Sequence, residues 1–171
     1  MYKNYNDIKN ILSTSINELN TNVQKLDRDV ISCKEAVRAK NIPLKNELKS
    51  LVIRTEKGFV LLHIRGDYTV DLRSVKRKLD VKDACLASFE DLILLNVRCG
   101  TVNPFRDSLQ KLPQLISDEI FRVDFLSTNY NGHLNEYVFF TPEVLLESLK
   151  RSPKLFRGYF IKEKEREMNN E

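Results

Sequence analysis

The first forty residues carry apolar side chains at helical spacing. Between residues 6 and 27 they recur at short, helix-like intervals: Ile8, Ile11, Leu12, Ile16, Leu19, Val23 and Leu26. This spacing predicts one amphipathic helix over residues 6–27. Ser32-Cys-Lys-Glu35 is a capping box, in which the serine and glutamate side chains bind backbone amides of the first turn. It predicts a short helix through Lys40 that ends at Asn41 and Pro43.

Two extended segments follow, and a tight turn joins them. Residues 48–54 (LKSLVIR) and 59–65 (FVLLHIR) are rich in β-branched and other apolar side chains, which predicts two strands. Thr55-Glu-Lys-Gly58 supplies the turn of a hairpin, with glycine near its end. The uninterrupted apolar run Val60-Leu61-Leu62 predicts that the second strand is central in a sheet and covered on both faces.

The rest of the chain mixes short helices and strands. Asp71 and Ser88 are placed to cap helices, and Thr141-Pro-Glu begins another with a cap, a proline and an acidic first turn. The predicted elements are a helix from Asp71 to Leu79, a brief strand near 84–87, a helix from Ser88 to Leu95, strands at 114–117, 121–126 and 136–140, and a helix from Thr141 to Lys150. Pro153 interrupts this last helix, and a charged tail follows.

This order of elements predicts an α+β or mixed α/β fold. Strands joined by a tight turn pair antiparallel, so we expect a central mixed or antiparallel sheet flanked by helices. A length of 171 residues suits one domain with extensions. We expect an N-terminal helical extension at residues 1–28, a core domain at 29–150 and a charged C-terminal tail at 151–171.

Composition argues against several kinds of site. Three widely spaced cysteines, Cys33, Cys85 and Cys99, and two histidines provide neither a zinc motif nor a disulfide framework, so we expect no metal and no cofactor. No apolar run reaches the length of a membrane span, and the N-terminus MYKNYNDIKN lacks the apolar core of a signal peptide. We therefore expect a soluble, cytoplasmic protein that does not contact a membrane.

Basic residues are concentrated in two groups, although the net charge is only +4. The first group is Arg73, Lys76, Arg77, Lys78 and Lys82, and the second ends the chain: Lys150, Arg151, Lys154, Arg157, Lys162, Lys164 and Arg166. Solvent-exposed helix faces are the ordinary explanation for such groups. They also suit a polyanionic partner such as nucleic acid.

Two features of the pattern are candidates for chemistry. Alternation places Lys49 on the strand face of Leu51 and Ile53, where its amine starts at the edge of a buried surface; alternatively, its stem extends to solvent. The loop 98–105 (RCGTVNPF) sets a glycine and a proline four residues apart. Glycine lets the backbone approach a ligand closely and proline restricts its neighbours, so this loop is either a binding surface or a plain connection.

The familiar motifs of nucleophilic and nucleotide chemistry do not occur in the sequence. It has no Ser-His-Asp order, G-x-S-x-G motif, P-loop or G-x-G-x-x-G motif. His63, inside the second strand, and His133, in the turn Asn131-Gly-His133, belong to types of position that are more often structural than catalytic. Cys99 adjoins Gly100 and is a candidate nucleophile, but no base is evident beside it.

Taken together, these segments resemble the YbaK/prolyl-tRNA-synthetase-associated editing domains. SCKEAVRAKNIPLKNELKSLVIR is similar to their helix–linker–strand segment, in which a lysine, a small residue and leucine begin the strand, here Lys49-Ser50-Leu51. Their next strand and "VDL" helix are matched here by KGFVLLHIRGDYTVDLRSVKRKL. Their short helix and G-x-x-x-P loop are matched by ASFEDLILLNVRCGTVNPF, and their closing strands and helix by LISDEI and YVFFTPEVLLESL. The resemblance covers about residues 29–150 and depends on the order and spacing of the segments.

The resemblance implies an activity and a site. These domains hydrolyse the ester that links a wrong amino acid, typically alanine or cysteine, to proline tRNA. Lys49 and Gly100 would then act in catalysis, and the residues that contact the substrate would be Ser50, Thr101, Val102, Asn103, Pro104 and His133. The expected partner is tRNA, contacted weakly at Arg73, Lys76, Arg77 and Lys78, with a prolyl-tRNA synthetase or another synthetase as a second partner.

One departure from the family leaves the substrate open. Alanine-specific members often carry a His-Pro pair before the penultimate strand, whereas residues 126–133 here read LSTNYNGH. Three hypotheses remain: a deacylase, free-standing or within a prolyl-tRNA synthetase; a catalytically inactive tRNA- or synthetase-binding module with the same fold; and a thiol enzyme that uses Cys99. Deacylation by the unmodified protein, and its loss in Lys49→Ala, would separate the first hypothesis from the second.

Overall fold

The computed structural model describes residues 5–164. Most of its helices begin at capping residues that the sequence shows directly. The α-helices are α1 Tyr5–Lys9, α2 Cys33–Lys40, α3 Leu72–Leu79, α4 Phe89–Leu94, α5 Asp107–Gln110 and α6 Pro142–Leu149. Ser32 and Ser88 form the predicted capping boxes of α2 and α4, and the Asp71 carboxylate accepts from the first turn of α3. Between residues 5 and 164, no helix is long and apolar enough to cross a lipid bilayer.

Eleven strands and three short 3-10 helices complete the described part of the chain. The strands are β1 Leu12–Ser13, β2 Gln24–Lys25, β3 Leu48–Thr55, β4 Gly58–Arg65, β5 Tyr68–Val70, β6 Ala84–Leu86, β7 Gln114–Ser117, β8 Leu126–Asn129, β9 Glu136–Phe140, β10 Leu155–Gly158 and β11 Ile161–Glu163. The 3-10 helices are Ile16–Thr21, Leu44–Asn46 and Asp118–Arg122.

The β3–β4 hairpin lies within the largest sheet. That sheet has the order β10-β7-β4-β3-β6, with β3 antiparallel to both neighbours and β7 parallel to both of its own. Strand β4 is therefore interior, and Leu61 and Leu62 are both fully buried on opposite faces, as the apolar run predicts. The mixed α/β fold class predicted from the sequence is confirmed.

Two smaller sheets pack around this one. Strand β9 pairs with β8 on one edge and with β1 and β2 on the other, and β5 pairs with β11. One face of the large sheet buries Leu62 and Ile64 against α3 and the β5–β11 pair. The other face contributes Leu48 and Ile116 to a core shared with β9 and α6. At this second interface β3 comes close to β8, and the candidate site lies beside it, at the free edge of β3.

The prediction of one helix over residues 6–27 is wrong. The segment instead forms α1, β1, a 3-10 turn and β2, and both strands pair with β9. Ser15 and Glu18 form a capping box in the middle of the segment, which starts a new turn and interrupts a continuous helix. The apolar residues that suggested a helix are still used, because Ile8 and Leu19 are buried in two different clusters.

Two predictions in the second half also need correction. A strand was predicted at 121–126, but a 3-10 helix ends at Arg122 and β8 begins at Leu126. Val123 is extended but belongs to neither element, and only Leu126 of the predicted strand is part of β8. The tail after residue 150 contains β10 and β11, which pair with β7 and β5. Arg166, the last member of the second basic group, lies outside the described residues.

Candidate active site

The free edge of β3 borders a cavity of about 370 Å³. Strand β6 pairs only with residues 53–55 of β3, so residues 48–51 have a strand partner on one side only within the described chain. An isolated bridge between Glu47 and Ser127 is the connection to β8 just before this edge. The segment 26–36, the loop 99–102 and the turn before β9 close the remaining sides. The volume lies in the range of small-ligand pockets.

Lys49 and the glycine loop line this same cavity, although they approach it from different sides of the sheet. Lys49 lies on the β3 face of Leu51 and Ile53, whereas the loop packs through Val102 against residues of the opposite face. Both reach the cavity because it lies at an open edge, where both faces of the strand are accessible. The sequence therefore identified two segments that are about fifty residues apart in the chain and adjacent in the fold.

The Lys49 amine is fixed and partly desolvated. Its Nζ donates to the Tyr68 carbonyl at 2.7 Å, so the stem does not simply extend to solvent. Burial lowers the pKa of Lys49, and the neighbouring Lys164 ammonium lowers it further. An ammonium has three N–H donors, so two remain after the bond to Tyr68.

Gly100 adopts a conformation that other residues rarely take. Its φ is +82°, and a Cβ at this position would lie 3.0 Å from Leu134 Cδ2 and 3.3 Å from Ile31 Cγ2. The Asn129 side chain donates to the Gly100 carbonyl at 2.6 Å, which fixes the peptide. Glycine is required here because the loop turns with positive φ and presses against the cavity wall.

The other predicted loop residues divide into one that lines the cavity and three that support the loop. Val102 lines the cavity. Thr101, buried, donates its hydroxyl to the Arg98 carbonyl at 2.8 Å. Asn103, also buried, donates to Asn129 Oδ1 and accepts from the Phe105 amide, and Pro104 is buried beside it. The structure does not place Thr101, Asn103 or Pro104 on the cavity surface, so their predicted substrate contact is not supported by this geometry.

Ser50 lines the cavity and is hydrogen-bonded to a histidine that we had interpreted as structural. Ser50 Oγ lies 2.8 Å from His63 Nδ1, and His63 Nε2 lies 2.8 Å from Gln114 Oε1. Burial lowers the pKa of His63 to about 4, with Gln114 acting weakly in the opposite direction. The signal was present in the sequence: with the turn at residues 55–58, Ser50 and His63 become direct cross-strand partners.

A buried ion pair also lines the cavity and was missed. Lys40 Nζ donates to Glu47 Oε2 at 2.6 Å and to Ser127 Oγ at 2.7 Å. Its side chain is only 1% exposed, and Nζ lies 5.0 Å from the centre of the Tyr137 ring. Burial raises the pKa of Glu47, and Lys40 opposes that shift. Lys40 follows Cys33, Ala36 and Val37 at helical spacing, which indicates the buried face of α2.

Of the remaining candidates, the structure brings Cys99 into the cavity but not His133 or the basic residues of α3. His133 is exposed on a turn outside it, and its backbone amide donates to the Tyr130 carbonyl. Arg73, Arg77 and Lys78 are exposed on α3, and Lys76 is partly buried there. Cys33 and Cys99 do line the cavity, but no histidine does within residues 5–164. The same residues contain no cluster of three or more metal-ligating His, Cys, Asp or Glu side chains.

Comparison with known proteins gives a consistent result. A scan against protein families matches residues 27–147 to the aminoacyl-tRNA editing domain, which is more than half of the chain. One similar crystal structure is a hypothetical protein at 16% identity and TM-score 0.71, covering 82% of this chain and 90% of the other. A second is a candidate trans-editing enzyme for prolyl tRNA synthetase at 23% identity and TM-score 0.68, covering 83% and 86%. At these identities the two structures establish the fold alone. A search of curated proteins found no match.

Proposed function

Because the chain belongs to the aminoacyl-tRNA editing domain family, as its sequence resemblance predicted, we propose that it is an aminoacyl-tRNA deacylase. It hydrolyses the ester of misacylated tRNA, with Ala- or Cys-tRNA(Pro) as the proposed substrates, either free-standing or as the editing domain of a prolyl-tRNA synthetase. The observation that carries the proposal is that Lys49 and Gly100 line one cavity of about 370 Å³.

The reaction requires little from the protein. Water attacks the ester carbonyl, the carbonyl oxygen becomes a tetrahedral oxyanion, and collapse of the intermediate releases the ribose hydroxyl and the free amino acid. The main task is to stabilise the oxyanion with donors that are already in place. Gly100 and Val102 line the cavity, and their amides donate to no protein group within the described residues, whereas the Thr101 amide is used by the Arg98 carbonyl.

Lys49 supplies positive charge at the wall of the same cavity. Its bond to the Tyr68 carbonyl fixes the amine and leaves two N–H donors for the terminal ribose, its phosphate or the charged intermediate. Partial burial strengthens these contacts, because a charge acts over a lower effective dielectric away from bulk water. Burial also lowers the pKa of Lys49, so its positive charge is lost at a lower pH than that of an exposed lysine.

Part of the cavity wall is apolar. Ile31, Leu134 and Val102 supply this part, which suits a short aliphatic side chain. A second hydrolytic site of this kind is useful because one methylene changes binding by only about 1–3 kcal/mol. A synthetase site that admits proline cannot exclude alanine strongly, and a separate hydrolytic site would remove the alanine that is attached by mistake.

The test is hydrolysis of charged tRNA. We expect the protein to release amino acid from Ala- or Cys-charged proline tRNA, with Ser-charged tRNA as a third substrate, and Lys49→Ala to lower the rate roughly a hundredfold. The matched control is Lys57→Ala. Lys57 also donates its amine to a backbone carbonyl, that of Asp80, but it lies at the β3–β4 turn away from the cavity.

Two other outcomes would identify the alternatives. If the unmodified protein binds charged tRNA and releases nothing, it is a binding module with the editing fold. If Cys99→Ser abolishes hydrolysis and Lys49→Ala does not, it is a thiol enzyme. The described geometry favours neither a Cys99 nucleophile nor a histidine base for it, because both ring nitrogens of His63 are already hydrogen-bonded elsewhere.

A further inference from the structure

A chain of hydrogen bonds runs from the cavity into the protein interior. Ser50 at the cavity wall is bonded to His63, and His63 is bonded to Gln114, each at 2.8 Å. Gln114 Nε2 donates in turn to the carbonyls of Leu109 and Leu112 at 2.9 and 3.0 Å. His63 and Gln114 are both fully buried. Side chains that are buried and bonded at both ends have a single orientation.

The direction of this chain follows from its inner end. Because the Gln114 nitrogen donates to two carbonyls, its Oε1 is the atom that faces His63, and an amide oxygen only accepts. His63 must therefore carry its proton on Nε2. Its ring is uncharged at neutral pH, since burial lowers its pKa to about 4, so Nδ1 is an acceptor. The Ser50 hydroxyl then donates its proton to Nδ1, away from the cavity.

This arrangement makes the Ser50 oxygen an obligate acceptor toward a ligand. A freely rotating serine hydroxyl serves water or a ribose hydroxyl equally well, because those groups both donate and accept. Fixing the serine proton inward matters for a ligand group that can only donate. In an aminoacyl ester, that group is the α-ammonium, which has three N–H donors and no lone pair.

We propose that His63 and Gln114 are positioning residues that hold the Ser50 hydroxyl as an acceptor for the α-ammonium group of the aminoacyl ester. This inference rests on the proposed function for the identity of the ligand. It assigns the recognition of a free amino group, and hence of an unmodified aminoacyl end, to the side of the cavity formed by β3 and β4.

The same geometry argues against Ser50 as a nucleophile. A serine triad has a carboxylate behind the histidine to stabilise the imidazolium that forms when serine loses its proton. Here the third residue is the neutral amide of Gln114, and the ring is fully buried. His63 is therefore suited to hold the serine proton in place and poorly suited to remove it.

The test compares two non-hydrolysable probes by calorimetry. One is 3′-amino-3′-deoxyadenosine carrying an alanyl group in amide linkage, and the other carries a propionyl group, which lacks only the amine. We expect the unmodified protein to bind the alanyl probe more tightly, and Ser50→Ala and His63→Leu each to reduce this preference about tenfold, the scale of one charge-assisted hydrogen bond. The matched control is Ser148→Ala, which removes a serine hydroxyl outside the cavity that accepts from the Gln110 side chain, and it should leave the preference unchanged.

Equal losses of affinity for both probes in Ser50→Ala would overturn the inference, as would failure of the unmodified protein to prefer the alanyl probe or to bind either probe. If His63→Leu does not fold, nitrogen NMR of the unmodified protein decides the same point. A proton on Nδ1 of His63 would reverse the direction of the hydrogen bonds and contradict the proposal.

The two proposals can be refuted separately. If the protein prefers the alanyl probe but does not hydrolyse charged tRNA, the deacylase proposal is refuted and the ammonium site stands. If it hydrolyses charged tRNA but shows no such preference, the ammonium site is refuted and the deacylase proposal stands.

Discussion

The buried histidine makes the stability of the fold depend on pH in a way that can be calculated. His63 is fully buried, and its hydrogen-bond partners, Ser50 and Gln114, are both uncharged. Burial lowers its pKa from 6.5 to about 4, whereas in the unfolded chain the ring takes up a proton near pH 6.5. Between these two values the unfolded state binds more protons than the folded state. The folded state is therefore fully stabilised above pH 6.5, and stability is lost as the pH falls toward 4.

The size of the effect follows from the two pKa values. At 1.36 kcal/mol for each pH unit, the interval from 6.5 to about 4 corresponds to about 3 kcal/mol of unfolding free energy. That is a large share of the total for a domain of this size, which is typically about 5–15 kcal/mol. His63→Leu cannot titrate, so it lacks this dependence, although it carries a constant penalty for leaving the Ser50 and Gln114 side chains without their partner.

The measurement is urea unfolding of the unmodified protein and His63→Leu at intervals from pH 4 to pH 8. Other acidic groups titrate in both proteins and cancel in the difference between the two unfolding free energies. We expect this difference to be constant above pH 7 and to shrink by about 3 kcal/mol as the pH falls to 4. A difference that stays constant over the whole range would refute the reasoning, because the buried ring would then titrate as it does in the unfolded chain.

Three further predictions concern the ion pair, the loop and the basic helix. Lys40→Met should destabilise the fold by about 3–5 kcal/mol in urea unfolding, because it leaves the Glu47 carboxylate buried and unpaired. The double variant Lys40→Met/Glu47→Leu should recover much of that loss, and equal stability of the two variants would contradict the pairing. Gly100→Ala should lower the unfolding free energy by about 1–2 kcal/mol and reduce the deacylation rate, because φ is +82° and the new Cβ would lie 3.0 Å from a neighbouring side chain. The control Gly58→Ala, also at positive φ but with open space around it, should lose stability and keep its deacylation rate. Arg77→Glu on α3 should weaken tRNA binding in filter assays and flatten its salt dependence by about one unit of slope; unchanged affinity would remove α3 from the tRNA surface.

Local signals explain why the middle of the fold could be predicted from the sequence. Ser32 and Ser88 start their helices through contacts within four residues, and the turn at 55–58 fixes the register of the β3–β4 hairpin. These features depend on short-range sterics and hydrogen bonds, which the sequence states directly. The position of Lys49 on its strand face follows from the same alternation.

The features that could not be predicted depend on distant partners. The segment 6–27 has a helical apolar pattern, but its strands exist because β9, more than a hundred residues away, accepts their backbone groups. The cavity exists because β6 pairs with only three residues of β3, and nothing within β3 encodes that limit. Gln114 orients His63 across a separation of 51 residues, so the hydrogen-bonded chain becomes visible only once β7 is placed beside β4.

The family similarity ends near residue 147, yet the strand pairing and the packed core continue beyond it. Strand β10 lies parallel to β7, and Phe160 packs in the cluster that also contains Leu115 and Val75. Trimming the chain at residue 150 would strip one border of the main sheet and open that cluster to water, so a shortened version would be prone to associate with itself. A fusion protein that uses this domain should therefore include residues 12–25 and 155–163, because they pair with strands inside the segment that the family model matches.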